Sequence, residues 1–171
     1  ASCLVGSEMC IRDRYNVATT FTRVAEEGLI DTNASLHIGP RGPTMDNSVF
    51  EHTREVGFKL IDGNDLFETG LIKTADNLVE QLKDRTVYLC FDMDFFDPSC
   101  APGVCTPTWG GATAREGLGF LRRLQGLIIV GADINTVSPP HDVGGMTAFL
   151  AGAVALEILT LFCYAQNSVL D

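Results

Sequence analysis

The sequence predicts an α/β fold with a mainly parallel sheet. Three observations carry this. Short apolar runs rich in strand-favouring residues recur, at 87–91 and again at 127–130; such runs suit strands buried on both faces of a parallel sheet. Segments with helical spacing of apolar residues alternate with the strand candidates, as parallel connections require. Both runs end in a polar tip closed by prolines, and strand ends of this kind are where open α/β sheets bind ligands. No internal repeat, low-complexity segment or linker breaks the pattern.

Taken in order, residues 1–14 (ASCLVGSEMCIRDR) show neither helical nor strand period, and they lack the basic start and longer apolar core of a signal peptide. They resemble translated sequencing adapter. They are read as a non-native leader, with residues 15–171 as the domain. FTRVAEEGLID, from Phe21 to Asp31, reads as a short helix ended by Gly28. Ala34 to Gly39 is a short strand leaving through the turn Pro40-Arg41-Gly42-Pro43. Asn47 or Ser48 caps a helix to about Glu55, stopped at Gly57, and Phe58 to Ile61 is another strand. Thr74 or Asp76 opens a helix to about Lys83, with Leu78, Val79 and Leu82 on one face. After the run at 87–91, Thr113-Ala114-Arg115-Glu116 forms a capping box for a helix turning Leu118, Leu121 and Leu124 inward and ending at Gly126. Leu127 to Val130 is the next buried strand. Met146 to Tyr164 is almost wholly apolar, with Glu157 its only charge. Its length raises a membrane-spanning reading. The charge within it, its small residues and the lack of a flanking basic cluster favour a buried helix covering the sheet.

The chemistry concentrates in YLCFDMDFFDPSCAPGVCTPTWGG, from Tyr88 to Gly111. Side chains alternate along a strand, so Asp92 and Asp94 are expected to point the same way at its end. Two carboxylates there repel each other unless a cation lies between them, and a hard divalent cation is the natural candidate. Asp-x-Asp alone is more often a loop or cap feature. Here it is followed by Asp97-Pro98, Ala101-Pro102-Gly103, Thr106-Pro107 and Gly110-Gly111, which stiffen a long loop without regular structure. Long stiffened loops after strands are usually functional. The second tip, Gly131 to Pro140, brings Asp133 and Thr136 to the same edge if the two strands are neighbours. His37 and Arg41 are further polar candidates, for which ordinary structural roles are favoured.

The motif FDMDFFDPSCAPGVCTPTWGG resembles the second metal-binding motif of the ureohydrolase family, which contains arginase, agmatinase and guanidino-acid hydrolases; Cys90 stands where the family has Ser. The resemblance runs from about Phe21 to Tyr164. It implies a three-layer αβα arginase-like fold, here truncated at its N-terminal side. It implies that Asp92 bridges two metal ions and that Asp94 binds one of them. The family default is manganese, and nickel is compatible with the same nitrogen and oxygen donors. The family's first motif, an upstream His and an Asp-Ala-His-x-Asp run, is not in this sequence. By the same register Val17 occupies a family His position, and Thr136 occupies that of a Glu gripping the substrate guanidinium. A hydroxyl offers one neutral bond where a carboxylate offers a charge-assisted, often bidentate one.

Composition bounds the rest. The 171 residues suffice for one domain with a sizeable core. Net charge is −10 with no basic run, which disfavours nucleic acid and anionic membrane partners. The six cysteines are scattered. Cys100 and Cys105 lack a second Cys or His pair to complete a zinc site, so reduced thiols in a cytoplasmic enzyme are the simpler reading. Three functions stand. The first is metal-dependent hydrolysis of a guanidino group on a small cationic substrate, releasing urea, by a full-length homo-oligomer (trimer or hexamer) of which this chain is an inactive fragment. The second is a non-catalytic family member acting as an oligomer subunit or scaffold. The third is an unrelated magnesium enzyme using Asp-x-Asp for phosphoryl or glycosyl transfer, which the missing phosphate-binding glycine loop disfavours.

Overall fold

A computed structural model of the chain describes residues 19–43 and 48–168. The leader, Val17 and the Asn47 cap lie outside them. The chain forms two compact units, divided between Asn64 and Asp65.

The first unit contains α1 (Thr20–Glu26), β1 (Leu36–Ile38), α2 (Ser48–Glu55) and β2 (Lys59–Ile61). α1 stops where expected. Gly28 takes a φ of +67°, which lets its own amide and that of Leu29 turn back onto the Ala25 and Val24 carbonyls. β1 starts later than the sequence suggests. Asp31 accepts the Asn33 amide and winds Thr32–Ala34 into a 3₁₀ turn before the strand can begin. β1 and β2 pair in parallel, with His37 opposite Leu60. His37 is buried between the rings of Phe21 and Phe58, at centroid distances of 6.0 and 4.7 Å. Burial lowers its pKa from 6.5 to about 4. It is therefore a neutral core residue at physiological pH.

The second unit holds α4 (Leu71–Leu82), β3 (Thr86–Asp92), α5 (Ala114–Arg123), β4 (Ile128–Asn135) and α6 (Met146–Ser168). A short helix not foreseen, α3 (Gly63–Thr69), crosses the division between the units. Leu66 is its only buried apolar side chain, so no apolar period announced it. α4 begins at Leu71, ahead of the expected start, because Gly70 at φ +91° makes the break. Thr74 is consequently a buried residue within the helix, beside Leu71, Ala75, Leu78 and Leu82. β3 and β4 pair in parallel through the crossover that contains α5. The capping box is present, with Thr113 and Glu116 satisfying each other's backbone amides. α5 sits down on Phe96 because Gly117 has no side chain; a Cβ there would come within 2.2 Å of the ring. Phe91, Phe95, Phe96 and Phe120 form the aromatic part of the core. Arg123 pairs with Asp76 of α4, and Arg122 with Glu157 of α6, its Nε 2.9 Å from Oε1.

Two expectations about burial need correction. Among the described residues, β3 and β4 are covered on one face and largely open along the other. Phe91 and Ile129 are buried, whereas Tyr88 is 57% and Val130 64% exposed. Among the described residues these strands form a two-stranded sheet, with α6 packed on β4. α6 likewise is not a buried helix. Thr147, Val154, Ile158, Leu161 and Ala165 form one buried stripe at helical spacing, while Phe149, Leu156 and Leu159 face outward. The helix is long and apolar enough to cross a membrane by length and composition, but its one charge is spent on Arg122 within this unit.

A pH dependence follows from His37. The folded pKa lies below the unfolded value, so the unfolded chain binds the extra proton between about pH 6.5 and 4. Stability is therefore present above pH 6.5 and lost as pH falls toward 4, by roughly 3 kcal/mol at most. Denaturant titrations at pH 7 and pH 4.5 should show a smaller pH-dependent loss for His37→Leu than for the unaltered chain. Equal losses would contradict the buried, neutral imidazole.

Candidate active site

The pairing of β3 with β4 sets the site. Cys90 lies opposite Asp133 and Asp92 opposite Asn135, so both strand tips arrive at one edge. β3 ends at Asp92, and Met93–Phe95 is a 3₁₀ turn. Asp94 is thus placed by that turn and not by the strand alternation that the sequence predicts. The turn is anchored from inside by Met93, 0% exposed, and followed by Phe96, 1% exposed. Asp92 and Asp94 are themselves 7% and 5% exposed. Carboxylates this buried require hydrogen bonds or a cation.

Two threonines reach Asp94. Its backbone N–H donates to Thr136 Oγ1 at 3.2 Å, and the Thr106 hydroxyl donates to Asp94 Oδ2 at 3.4 Å. Thr136 has a φ of +69°, unlike every other non-glycine among the described residues. A β-branched residue in the left-handed region costs on the order of 1–3 kcal/mol and persists only where its surroundings demand it. The surroundings here are explicit. Val137 bridges to Val104, and the Ser138 amide donates to the Gly103 carbonyl at 2.8 Å.

The loop from Asp97 to Gly111 is fastened at several points. Asp97 accepts the amides of Ser99, Gly110 and Gly111, closing the loop on itself. The bonds from Ser99, reinforced by those two glycine amides, hold its carboxyl below the usual range. The Gly103 amide donates to Thr147 Oγ1 at 2.8 Å. A Cβ on Gly103 would come within 2.5 Å of Asp142, so only glycine permits this approach. Asp142 in turn accepts the amides of Thr147 and Ala148 at the start of α6. On the open face of the sheet, Tyr88 lies across Gly131 and donates to Asp133 Oδ2 at 2.6 Å, while Asn135 donates to Asp133 Oδ1. Burial, and then the bond to Asp133, push the Cys90 thiol up to about 12. Cys90 is therefore a protonated thiol at neutral pH.

The structure brings Asp92, Asp94, Asp133 and Thr136 to one edge, as the sequence suggested. His37 belongs to the core of the first unit, and Arg41 to the turn after β1 there. Sequence reasoning missed the contact of Thr106 with Asp94 and the roles of Tyr88 and Asp142. The Asp142-to-Thr147 spacing, just ahead of a long apolar helix, was the available signal for the last. Asp92 and Asp94 offer hard oxygen donors suited to divalent manganese, magnesium or nickel. Among the described residues, no group of three or more His, Cys, Asp or Glu side chains is arranged to hold a metal ion.

Replacing Asp97 with Ala removes three charge-assisted bonds and should cost about 1–3 kcal/mol. Limited proteolysis would then cut within residues 97–111 faster than in the unaltered chain. Unchanged cleavage and midpoint would show that Asp97 does not close the loop.

Known proteins place this architecture. The profile of the Arginase family matches residues 8–161. A guanidinopropionase from Pseudomonas aeruginosa is 37% identical over 147 residues, covering 86% of this chain and 46% of that protein. The human mitochondrial guanidino acid hydrolase is 34% identical over 139 residues, covering 81% and 40%. The solved proclavaminate amidino hydrolase from Streptomyces clavuligerus superposes with a TM-score of 0.80 at 37% identity, covering 89% of this chain and 50% of that one. The chain thus spans about half the length of the curated relatives it matches. With the profile matched over most of its length, on parallel strands ending in the Asp92–Asp94 turn, this chain belongs to the arginase family of ureohydrolases.

Proposed function

We propose that the whole protein hydrolyses the guanidino group of a small cationic substrate, releasing urea and an amine. Residues 15–171 contribute part of its ureohydrolase domain. The observation that supports this best is the buried Asp92–Asp94 turn with the tip of β4 bonded onto it. Asp92 and Asp94 would hold metal, manganese first and nickel second. Such ions lower the pKa of water so that hydroxide is available near neutral pH. The family membership and the names of the relatives, guanidinopropionase, guanidino acid hydrolase and agmatinase, give the reaction class. The described residues alone lack the donors for two metals, so activity is assigned to the whole protein, in the cytoplasm and as a homo-oligomer.

Thr136 stands at the expected substrate contact. It offers a neutral hydroxyl whose oxygen already accepts the Asp94 amide. This favours a modest contact to a small guanidino substrate over a charge-assisted grip. The same observation favours a second reading, a non-catalytic family member serving as a subunit or scaffold.

The test is urea release by the whole protein loaded with manganese or nickel, across agmatine, guanidinobutyrate, guanidinopropionate, arginine and guanidine. Urea from any one of them supports the hydrolase. Full metal loading with no urea from any supports the scaffold. Asp94→Asn should lower metal occupancy and urea release together, by more than the 10–100-fold that loss of an outer-shell partner costs. Unchanged occupancy would remove Asp94 from the metal shell.

A further inference from the structure

We propose that Thr136 is a positioning residue: its hydroxyl fixes the Met93–Phe95 turn through the Asp94 amide and so sets the direction in which the Asp94 carboxylate meets a divalent cation. The inference rests on the reading of Asp94 as a metal ligand and extends it to how that ligand is aimed.

Three observations converge on this role. The Thr136 backbone adopts φ +69°, which a β-branched residue avoids unless held there. Position 136 is held, because the next two residues are bonded to the stiffened loop, Val137 to Val104 and Ser138 to Gly103. The result of this unfavourable conformation is a contact with the Asp94 turn: Oγ1 of Thr136 accepts the Asp94 N–H at 3.2 Å. Thr106 meanwhile reaches the carboxylate of the same residue. One threonine therefore fixes the backbone of Asp94 and another restrains its side chain. A carboxylate outside a strand has no pleat to aim it. In the 3₁₀ turn, its direction depends on the φ and ψ of Met93 and Asp94, which the Thr136 bond constrains. Outer partners that orient a metal-binding side chain are worth 10–100-fold in metal affinity.

The hydrogen bond and the backbone strain can be separated by substitution. Thr136→Ser keeps the hydroxyl and removes the β-branch. Thr136→Val keeps the shape and removes the hydroxyl. Thr136→Gly removes both the hydroxyl and the strain. The experiment uses the whole protein and reads three quantities: hydrogen-exchange protection of the Asp94 amide, affinity for manganese alone by calorimetry, and urea release. Asp94→Asn is measured in parallel. Ser should retain amide protection and manganese affinity within about 2-fold. Val and Gly should both lose the protection and bind manganese 10–100-fold more weakly. If Val does not fold, the comparison of Gly with Ser decides. Val or Gly with manganese affinity equal to the unaltered protein would overturn the inference, whatever happens to the amide. So would Asp94 protection that survives loss of the hydroxyl. A protein that binds manganese in this Thr136-dependent way and releases no urea would overturn the hydrolase reading and leave this one standing. Manganese binding indifferent to Asp94→Asn would overturn both.

Discussion

Keeping two carboxylates buried within two residues of each other is the constraint on which the second unit depends. At 7% and 5% exposure, Asp92 and Asp94 have little access to bulk water. Desolvation of this kind must be offset by donors or by positive charge. Part of the need is met by Thr106, from the loop after β3, whose hydroxyl donates to the Asp94 carboxylate. Thr136, from the tip of β4, accepts the Asp94 backbone N–H and holds the turn that carries that carboxylate. The parallel pairing of β3 and β4 is what makes the second contact possible.

The glycines and aspartates of the loop serve the same end. Gly103 admits the backbone of one loop against Asp142 of the next, and Asp142 caps α6, so the loop is fastened to the longest helix. Asp97 closes the loop behind Thr106. The strain at Thr136 is local, and the bonds on Val137 and Ser138 sustain it.

Much of this was legible in the sequence because the signals are local. The capping box at Thr113 to Glu116, the glycine stop at Gly28 and the two strand-then-proline units each rest on a few adjacent residues. The neighbourhood of Asp133 and Thr136 with Asp92 followed from strand pairing alone. The 3₁₀ turn at Met93 was not legible: Asp-Met-Asp has the same period as a continuing strand, and what accompanies the turn, burial of Met93 and Phe96 and the Thr136 bond to the Asp94 amide, is set by residues distant in sequence. The positive φ of Thr136 carries no signal in residue type, since β-branched residues avoid that region. The open face of the sheet was misread for a related reason. Tyr88 and Val130 favour strands whether or not anything covers them.

The position of a divalent cation decides the role of Asp92 and Asp94. The most direct measurement is an anomalous difference map from crystals of the whole protein grown with manganese. Density is expected in direct coordination with carboxylate oxygens of both Asp92 and Asp94, with the Asp94 amide still bonded to Thr136. Manganese bound elsewhere, with the two carboxylates contacting only protein groups, would contradict it.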